Sequence, residues 1–336
     1  MTPGRVIAET KDLSIGYHSR RRVFTVMENL SLRAHRGELV ALIGRNGTGK
    51  STLLRTLVGL QPPLGGTIIL DGRALHETGS SEMPRLVSFT STEPMTVHYI
   101  RVRDVVSLGR FPHTNWIGTL TEADRRAVDG ALEATGITAL AQRTIDNISD
   151  GERQRTMIAR SLAQDTGLMV MDEPTAFLDL PSRYATVNLL RRVTRESGKC
   201  VIYSTHDLDT AINEADRIWL MTEDGVSEGA PEDLMLTGSI ARAFESPQLS
   251  FSSGDGSFSF VRTRHSSIAL EGKGRAAKLT ARALSRCGYN IESQASMTVR
   301  VSNSAGGTEW IVTEGQETES FDSLYDLVTY LSARSQ

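Results

Sequence analysis

The sequence predicts an α/β protein built on a largely parallel sheet, followed by a small α+β appendage, and three observations carry that prediction. From Met1 to about Glu245, short apolar runs alternate with longer segments of helical period, the pattern of parallel strands covered by helices. Each clear strand runs into a polar or glycine-rich turn and then a helix, so loop residues collect at the carboxyl edge of the sheet, where such folds bind ligands. A serine- and glycine-rich stretch, SPQLSFSSGDGSFS over 246–259, then breaks the alternation.

The strands of the first part are Leu39 to Ile43, Leu168 to Met171 and Val201 to Ser204. The stretch after Glu245 reads as a linker or a loose hairpin, which sets a domain over 1–245, a linker over 246–262 and a small domain over 263–336. In that last part Gly274 to Cys287 is expected to be helical and Met297 to Val301 and Glu309 to Thr313 to be strands. Phe321, Leu324, Leu327, Val328 and Leu331 fall at helical spacing and predict a closing helix. A chain of 336 residues accommodates two such domains, because single cores stop growing at roughly 250–300 residues.

Composition narrows the classes of function. With 39% hydrophobic and 23% charged residues and a formal net charge of -3, the chain is neither disordered, collagenous nor a polybasic nucleic-acid binder. No apolar run reaches the roughly 18–20 residues that cross a bilayer, and MTPGRVIAET lacks the apolar centre of a signal peptide, so any membrane role is expected to be peripheral. Cys200 and Cys287 have no metal-ligand spacing and read as small buried hydrophobes of a reducing compartment. Arg20, Arg21 and Arg22 read as a solvated turn.

The chemistry is concentrated at four loops. Gly44-Arg45-Asn46-Gly47-Thr48-Gly49-Lys50-Ser51 fits G-x-x-x-x-G-K-[ST] and stands between a strand and a helix carrying Leu53, Leu54, Leu57 and Val58. Glycines let the backbone wrap close to phosphate, while successive N–H groups and the helix N-terminus, with Thr52 in its first turn, make an anion nest. Lys50 is expected to reach the β and γ phosphates of a nucleoside triphosphate, and the Ser51 hydroxyl to ligate Mg²⁺. Leu168 to Met171 ends in Asp172-Glu173, one acid to hold the metal and the next to polarise a water, their roles separated by the alternation of side chains along a strand. Val201 to Ser204 leads to His206 at the same sheet edge, within reach of a γ-phosphate.

With Asn147-Ile148-Ser149-Asp150-Gly151-Glu152-Arg153-Gln154 opening a helix ahead of the Leu168 strand, the chain resembles the ABC ATPase family over residues 5 to about 240. Against the family's L-S-G-G-Q, Ser149 and Gly151 match, while Ile148, Asp150 and Glu152 depart. The resemblance implies a RecA-like core with an antiparallel β subdomain and a helical subdomain at about 95–165. It implies ATP and Mg²⁺ as cofactors, and a second copy of the chain whose Ser149, Asp150, Gly151 and Glu152 reach the ATP held by the first. It further implies that Tyr17, after the first strand, stacks on adenine, and that Asp179 lies in a loop touching the partner copy. The family's metal-approaching glutamine is missing from Ser88-Phe89-Thr90-Ser91-Thr92-Glu93-Pro94, and Thr92 is the best match for it. A charged pair at Asp150 and Glu152 weakens phosphate contact unless the carboxylates point away or Arg153 and Arg155 offset them.

Gly109-Arg110-Phe111-Pro112-His113, with Thr121-Glu122-Ala123-Asp124 opening a helix and Leu140-Ala141-Gln142-Arg143 beyond, is similar to the importer branch that handles iron-siderophores, haem and cobalamin. That resemblance implies integral membrane permease subunits, a substrate-binding protein met indirectly, no nucleic acid, and a place on the cytoplasmic face of the inner membrane. The cluster of Phe111, Trp116 and Ile117 reads as core packing or as part of that docking region. An exporter subunit and a cluster-assembly scaffold are the competing readings, and the unfused cassette with its G-R-F-P-H stretch favours import.

Overall fold

The computed structural model describes residues 4–19, 22–93, 98–115, 117–252, 256–261, 266–304 and 307–334, so the expectations placed on Arg20, Arg21, Pro94 and Trp116 lie outside the described residues. The chain divides into two compact units, 1–245 with 251–258, and 246–250 with 259–336.

The first unit opens with β1 (Val6–Ser19), β2 (Arg22–Leu30) and β3 (Arg33–His35), then enters β4 (Leu39–Gly44), all of whose residues are buried. A glycine loop joins β4 to α1 (Lys50–Leu57), after which β5 (Gly65–Leu70) and β6 (Arg73–Ala74) complete an antiparallel sheet ordered β2-β1-β5-β6, with β3 also on β1. Next come α2 (Met83–Leu86), β7 (Val87–Thr90), α3 (Val102–Ser107), a 3-10 turn over Leu108–His113, α4 (Glu122–Ala134) and α5 (Asp150–Ala163). The unit continues through β8 (Leu168–Met171), α6 (Leu180–Ser197), β9 (Cys200–Ser204) and α7 (Leu208–Glu214) to β10 (Arg217–Thr222), β11 (Gly225–Gly229), α8 (Pro231–Leu236) and α9 (Ser239–Phe244).

The second sheet runs β11-β10-β4-β9-β8-β7, parallel except for β11. Apolar clusters cover both of its faces, one shared with the antiparallel sheet and one under α6 to α9, which is why β4, β8 and β9 read as unbroken apolar runs rather than alternating ones. The helices α3, α4 and α5 enclose a separate core around Val102, Val106, Val128, Leu132 and Ile148. Cys200 is fully buried in β9, where burial pushes its thiol well up and leaves it unreactive.

Tyr17 does not follow the first strand but lies within β1, opposite Phe24 of β2. A register shift at Ile15 and Gly16 lets the ladder continue, and a Cβ at Gly16 would fall 2.0 Å from the Phe24 carbonyl oxygen. In the 246–262 stretch, β12 (Leu249–Ser252) pairs with β13 (Ser257–Phe260). Phe251 and Phe258 pack as a tilted pair at 4.8 Å, Phe258 meets Phe244 at 6.1 Å, and Phe251 is buried with the cluster under α8 and α9.

The second unit carries β14 (Ser266–Glu271), α10 (Gly274–Arg286), β15 (Tyr289–Glu292), β16 (Met297–Ser304), β17 (Gly307–Glu314), β18 (Glu317–Phe321) and α11 (Leu324–Arg334). Its sheet is ordered β15-β14-β16-β17-β18, with β14 parallel to both neighbours and the rest antiparallel. Ile268, Leu284, Val299, Leu327 and Leu331 form its core, and Trp310 Nε1 donates to Thr280 Oγ1 at 2.7 Å. Phe321 ends β18 instead of opening the last helix. Its ring still packs on Tyr330 at 5.1 Å, so it meets the apolar face of α11 from the strand side.

Candidate functional site

The phosphate loop takes its shape from three glycines. Gly44, Gly47 and Gly49 have φ of 157°, 84° and 101°, and a Cβ at Gly49 would meet Val26 Cγ1 at 2.3 Å. Asn46 and Ser51 are exposed, Thr48 and Thr52 half-buried, and Thr48 Oγ1 donates to the Arg45 carbonyl at 3.0 Å. The first turn of α1 has no side-chain cap and no acidic residue, so its N–H groups stay available to an anion. Lys50 is buried, and its Nζ donates to the carbonyl oxygens of Gly44 at 2.9 Å and Arg45 at 3.1 Å. Burial pulls its ammonium below the ordinary lysine range, while the Glu173 and Asp172 carboxylates oppose that.

The acidic strand end is held by a residue that the sequence motifs pass over. Ser204, fully buried at the end of β9, donates from Oγ to Asp172 Oδ1 at 2.7 Å and accepts from the Glu173 N–H at 2.8 Å. Thr92 Oγ1 donates to the Asp172 carbonyl at 3.0 Å, and the Asp172 N–H donates to the Thr90 carbonyl at 2.8 Å. Glu173 and His206 share a hydrogen bond between Oε1 and Nε2. Strand alternation does not reach the two acids, because β8 ends at Met171, and Glu173 sits in a left-handed conformation with φ of 49°. Such a backbone costs a non-glycine residue about 1–3 kcal/mol, so the surrounding bonds must hold it.

Ser149 caps α5. Its Oγ accepts from the Glu152 N–H at 3.3 Å, and Glu152 Oε2 accepts from the Ser149 N–H at 2.8 Å and from Ser149 Oγ at 3.0 Å. Those bonds from Ser149 hold the Glu152 carboxyl below its ordinary range. Asp150 pairs with Arg153 Nη1 at 2.8 Å, so each acidic departure of the signature segment is engaged within its own helix turn. A Cβ on Gly151 would stand 3.1 Å from Ser182 Oγ, which puts a small residue where α5 approaches α6. Asp179 caps α6 by accepting from the Ser182 N–H at 3.1 Å.

Thr92, Asp150, Arg153, Glu173 and Phe177 line one cavity of about 110 Å³. Among the described residues, no hydrogen bond joins Ser149, Gly151 or Glu152 to the phosphate loop, and Tyr17 is half-exposed on the antiparallel sheet. No group of three or more His, Cys, Asp or Glu gathers into a metal cage among the described residues. The donors at hand, a serine hydroxyl and a single carboxylate beside a phosphate cradle, suit Mg²⁺, which keeps several waters and takes much of its coordination from substrate phosphates.

The G-R-F-P-H stretch turns out to be an internal clamp. A Cβ on Gly109 would lie 2.2 Å from the Arg160 carbonyl oxygen. Arg110 is buried, donating to Asp124 Oδ1 at 2.8 Å and to the Ala163 carbonyl at 2.7 Å, and His113 Nε2 bonds the Gln164 carbonyl at 2.8 Å. Phe111 is 72% exposed and Ile117 76%, which sets aside their reading as core packing.

A glycine-rich phosphate loop at the carboxyl edge of a parallel sheet, facing a buried carboxylate and a second acid bonded to histidine, defines a nucleoside triphosphatase of the P-loop class. Residues 27–176 match the ABC transporter family, and residues 265–332 match the iron ABC transporter C-terminal domain. The chain is 38% identical to the achromobactin transport ATP-binding protein of Dickeya dadantii over 67% of this chain and 83% of that one. It is 37% identical to the ferric enterobactin transport ATP-binding protein of Escherichia coli over 70% and 85% of the two chains. Among solved structures, cbiO1 of Clostridium perfringens, part of an ABC transporter complex, superposes with a TM-score of 0.62 at 27% identity, covering 71% of this chain and 94% of that one. The chain belongs to the ABC transporter ATP-binding family and hydrolyses ATP. No helix among the described residues is long and apolar enough to cross a membrane.

Proposed function

We propose that this chain is the motor subunit of an importer for a ferric siderophore, haem or a cobalamin-type compound, working as two copies against a separate permease on the cytoplasmic face of the membrane. The observation that carries the ATPase half is the Ser204 bridge, which ties the Asp172 carboxylate and the Glu173 backbone into one rigid unit. The import half rests on relatives whose names are achromobactin, ferric enterobactin and iron(3+)-hydroxamate transport or import proteins, and on the iron-type C-terminal domain.

In this reading the phosphate-loop amides and Lys50 bind the triphosphate, and Ser51 and Asp172 hold Mg²⁺ with Thr92 close by. Bound Mg²⁺ supplies charge neutralisation for the departing phosphate. Glu173 orients and deprotonates the attacking water, and His206 steadies Glu173 while facing the γ-phosphate. Tyr17 stacks on adenine. Ser149 and Gly151 at the start of α5 meet the ATP of the partner copy, where the helix N-terminus favours negative charge. Asp179 fixes the loop that touches that copy.

The test is light scattering on Glu173→Gln. Trapped short of hydrolysis, it should shift from monomer to dimer with Mg-ATP and stay monomeric with Mg-ADP. A variant that binds ATP yet stays monomeric at high concentration would refute the two-copy motor for the isolated chain.

A further inference from the structure

We propose that the second unit holds a binding site for a small organic anion bearing carboxylate or phosphate groups, placed against the C-terminal half of α10. The helix contains Arg275, Lys278, Arg282 and Arg286 and no acidic residue. At 100° per residue these four fall within an arc of about 80°, a single cationic stripe. Among the described residues Arg275, Lys278 and Arg282 make no ion pair, although the chain as a whole is net acidic. The acidic residues of the same unit that do pair, Glu271, Glu314 and Glu317, go to Arg300 and Arg334 instead.

The stripe runs into a concavity of about 730 Å³ lined by Arg282 and Arg286, the hydroxyls of Ser250, Ser259 and Ser285, and the apolar side of Phe260. Among the described residues no acidic side chain lines it. That volume is in the range of small-molecule sites, roughly 300–1,000 Å³, and the lining follows their usual form of an apolar wall with a few convergent polar groups. Guanidinium groups match carboxylate and phosphate in planar, two-point geometry, and serine hydroxyls take the remaining oxygens. The hydroxyls and the ring on one side of the stripe favour an enclosed small anion over a flat polyanionic surface.

The experiment is calorimetric titration of the full chain with citrate and, separately, with inorganic phosphate, at low salt and with saturating Mg-ADP so that the phosphate loop is already filled. At least one probe should bind with a dissociation constant near or below about 1 mM. Arg282→Gln should weaken binding about tenfold or more, Arg282→Lys should recover part of it, and Arg275→Gln, outside the concavity, should leave it unchanged. Citrate binding with no phosphate binding identifies a polycarboxylate site, and the reverse identifies a phosphate site. Absence of binding by both probes up to about 10 mM would overturn the proposal, as would binding that Arg282→Gln leaves intact. Equal contributions of Arg275 and Arg282 to sedimentation with phosphatidylglycerol vesicles, without citrate or phosphate binding, would also overturn it and reassign the stripe to a lipid surface.

Discussion

At the scale of single residues, the site depends on one hydroxyl that does two jobs. Ser204 donates to Asp172 and accepts from the Glu173 amide, so its loss frees the carboxylate and releases the left-handed turn at Glu173 together. Ser204→Ala should lower kcat about tenfold or more with ATP affinity little changed, because positioning is lost rather than charge, and phosphate-release kinetics with nucleotide titration separate the two. A parallel rise in the ATP dissociation constant would assign Ser204 to binding instead. The placement of the phosphate loop, Asp172, Glu173 and His206 after the ends of β4, β8 and β9 was legible, since each chemistry demands a residue type at a fixed place after a strand. Ser204 was not, because a serine at the end of an apolar strand carries no signal until the neighbouring strand is known. The different roles of Asp172 and Glu173 were read from strand alternation, yet both lie beyond the last residue of β8 and Glu173 is left-handed.

At the scale of elements, α4 and the turn before it act as one piece. Asp124 accepts from the Thr121 N–H at 2.9 Å and from its hydroxyl at 2.6 Å, and it also pairs with buried Arg110. The Thr121 bonds first, and then Arg110, hold the Asp124 carboxyl down at about 2. Its folded-state value lies below its unfolded one, so the stability it contributes is fully present above about 4. That contribution is lost as the pH falls through about 2. The stability gap between the native chain and Asp124→Asn, measured by urea unfolding at stepped pH, should therefore be largest near neutrality and narrow across that window. A gap that does not change with pH would exclude the ionised pair as its source. Arg110→Ala should be the more damaging change, because it removes both the cationic partner of buried Asp124 and the donor to the Ala163 carbonyl, leaving Asp124 only its Thr121 bonds. The G-R-F-P-H stretch was thus recognised for what it resembles, whereas its physical work is to tie the 3-10 turn to the C-terminal end of α5. Capping accounts in the same way for the acidic signature: Glu152 closes the N-terminus of α5 through its bonds with Ser149, a role that the expectation of weakened phosphate contact passed over.

At the scale of the whole molecule, the question is where the ATPase unit ends. Composition puts a linker at 246–262, because serine and glycine make up eight of the fourteen residues over 246–259, but L-S-F-S and S-F-S-F also alternate with the period of a strand. The alternation prevails for residues 251–258, which belong to the first unit, and Phe251 is buried among the side chains under α8 and α9. Removing a buried phenylalanine ring costs about 3–5 kcal/mol, a large part of the 5–15 kcal/mol that holds a typical domain. Phe251→Ala in the full chain should therefore lower the unfolding temperature of the unit that binds nucleotide, identified as the transition that Mg-ADP raises. A chain cut after Glu245 should be destabilised in the same direction relative to one cut after Phe260, since only the longer one keeps the Phe244, Phe251 and Phe258 cluster. If both cuts melt alike and Phe251→Ala leaves the nucleotide-sensitive transition in place, the hairpin is a linker after all and the boundary near 250 stands.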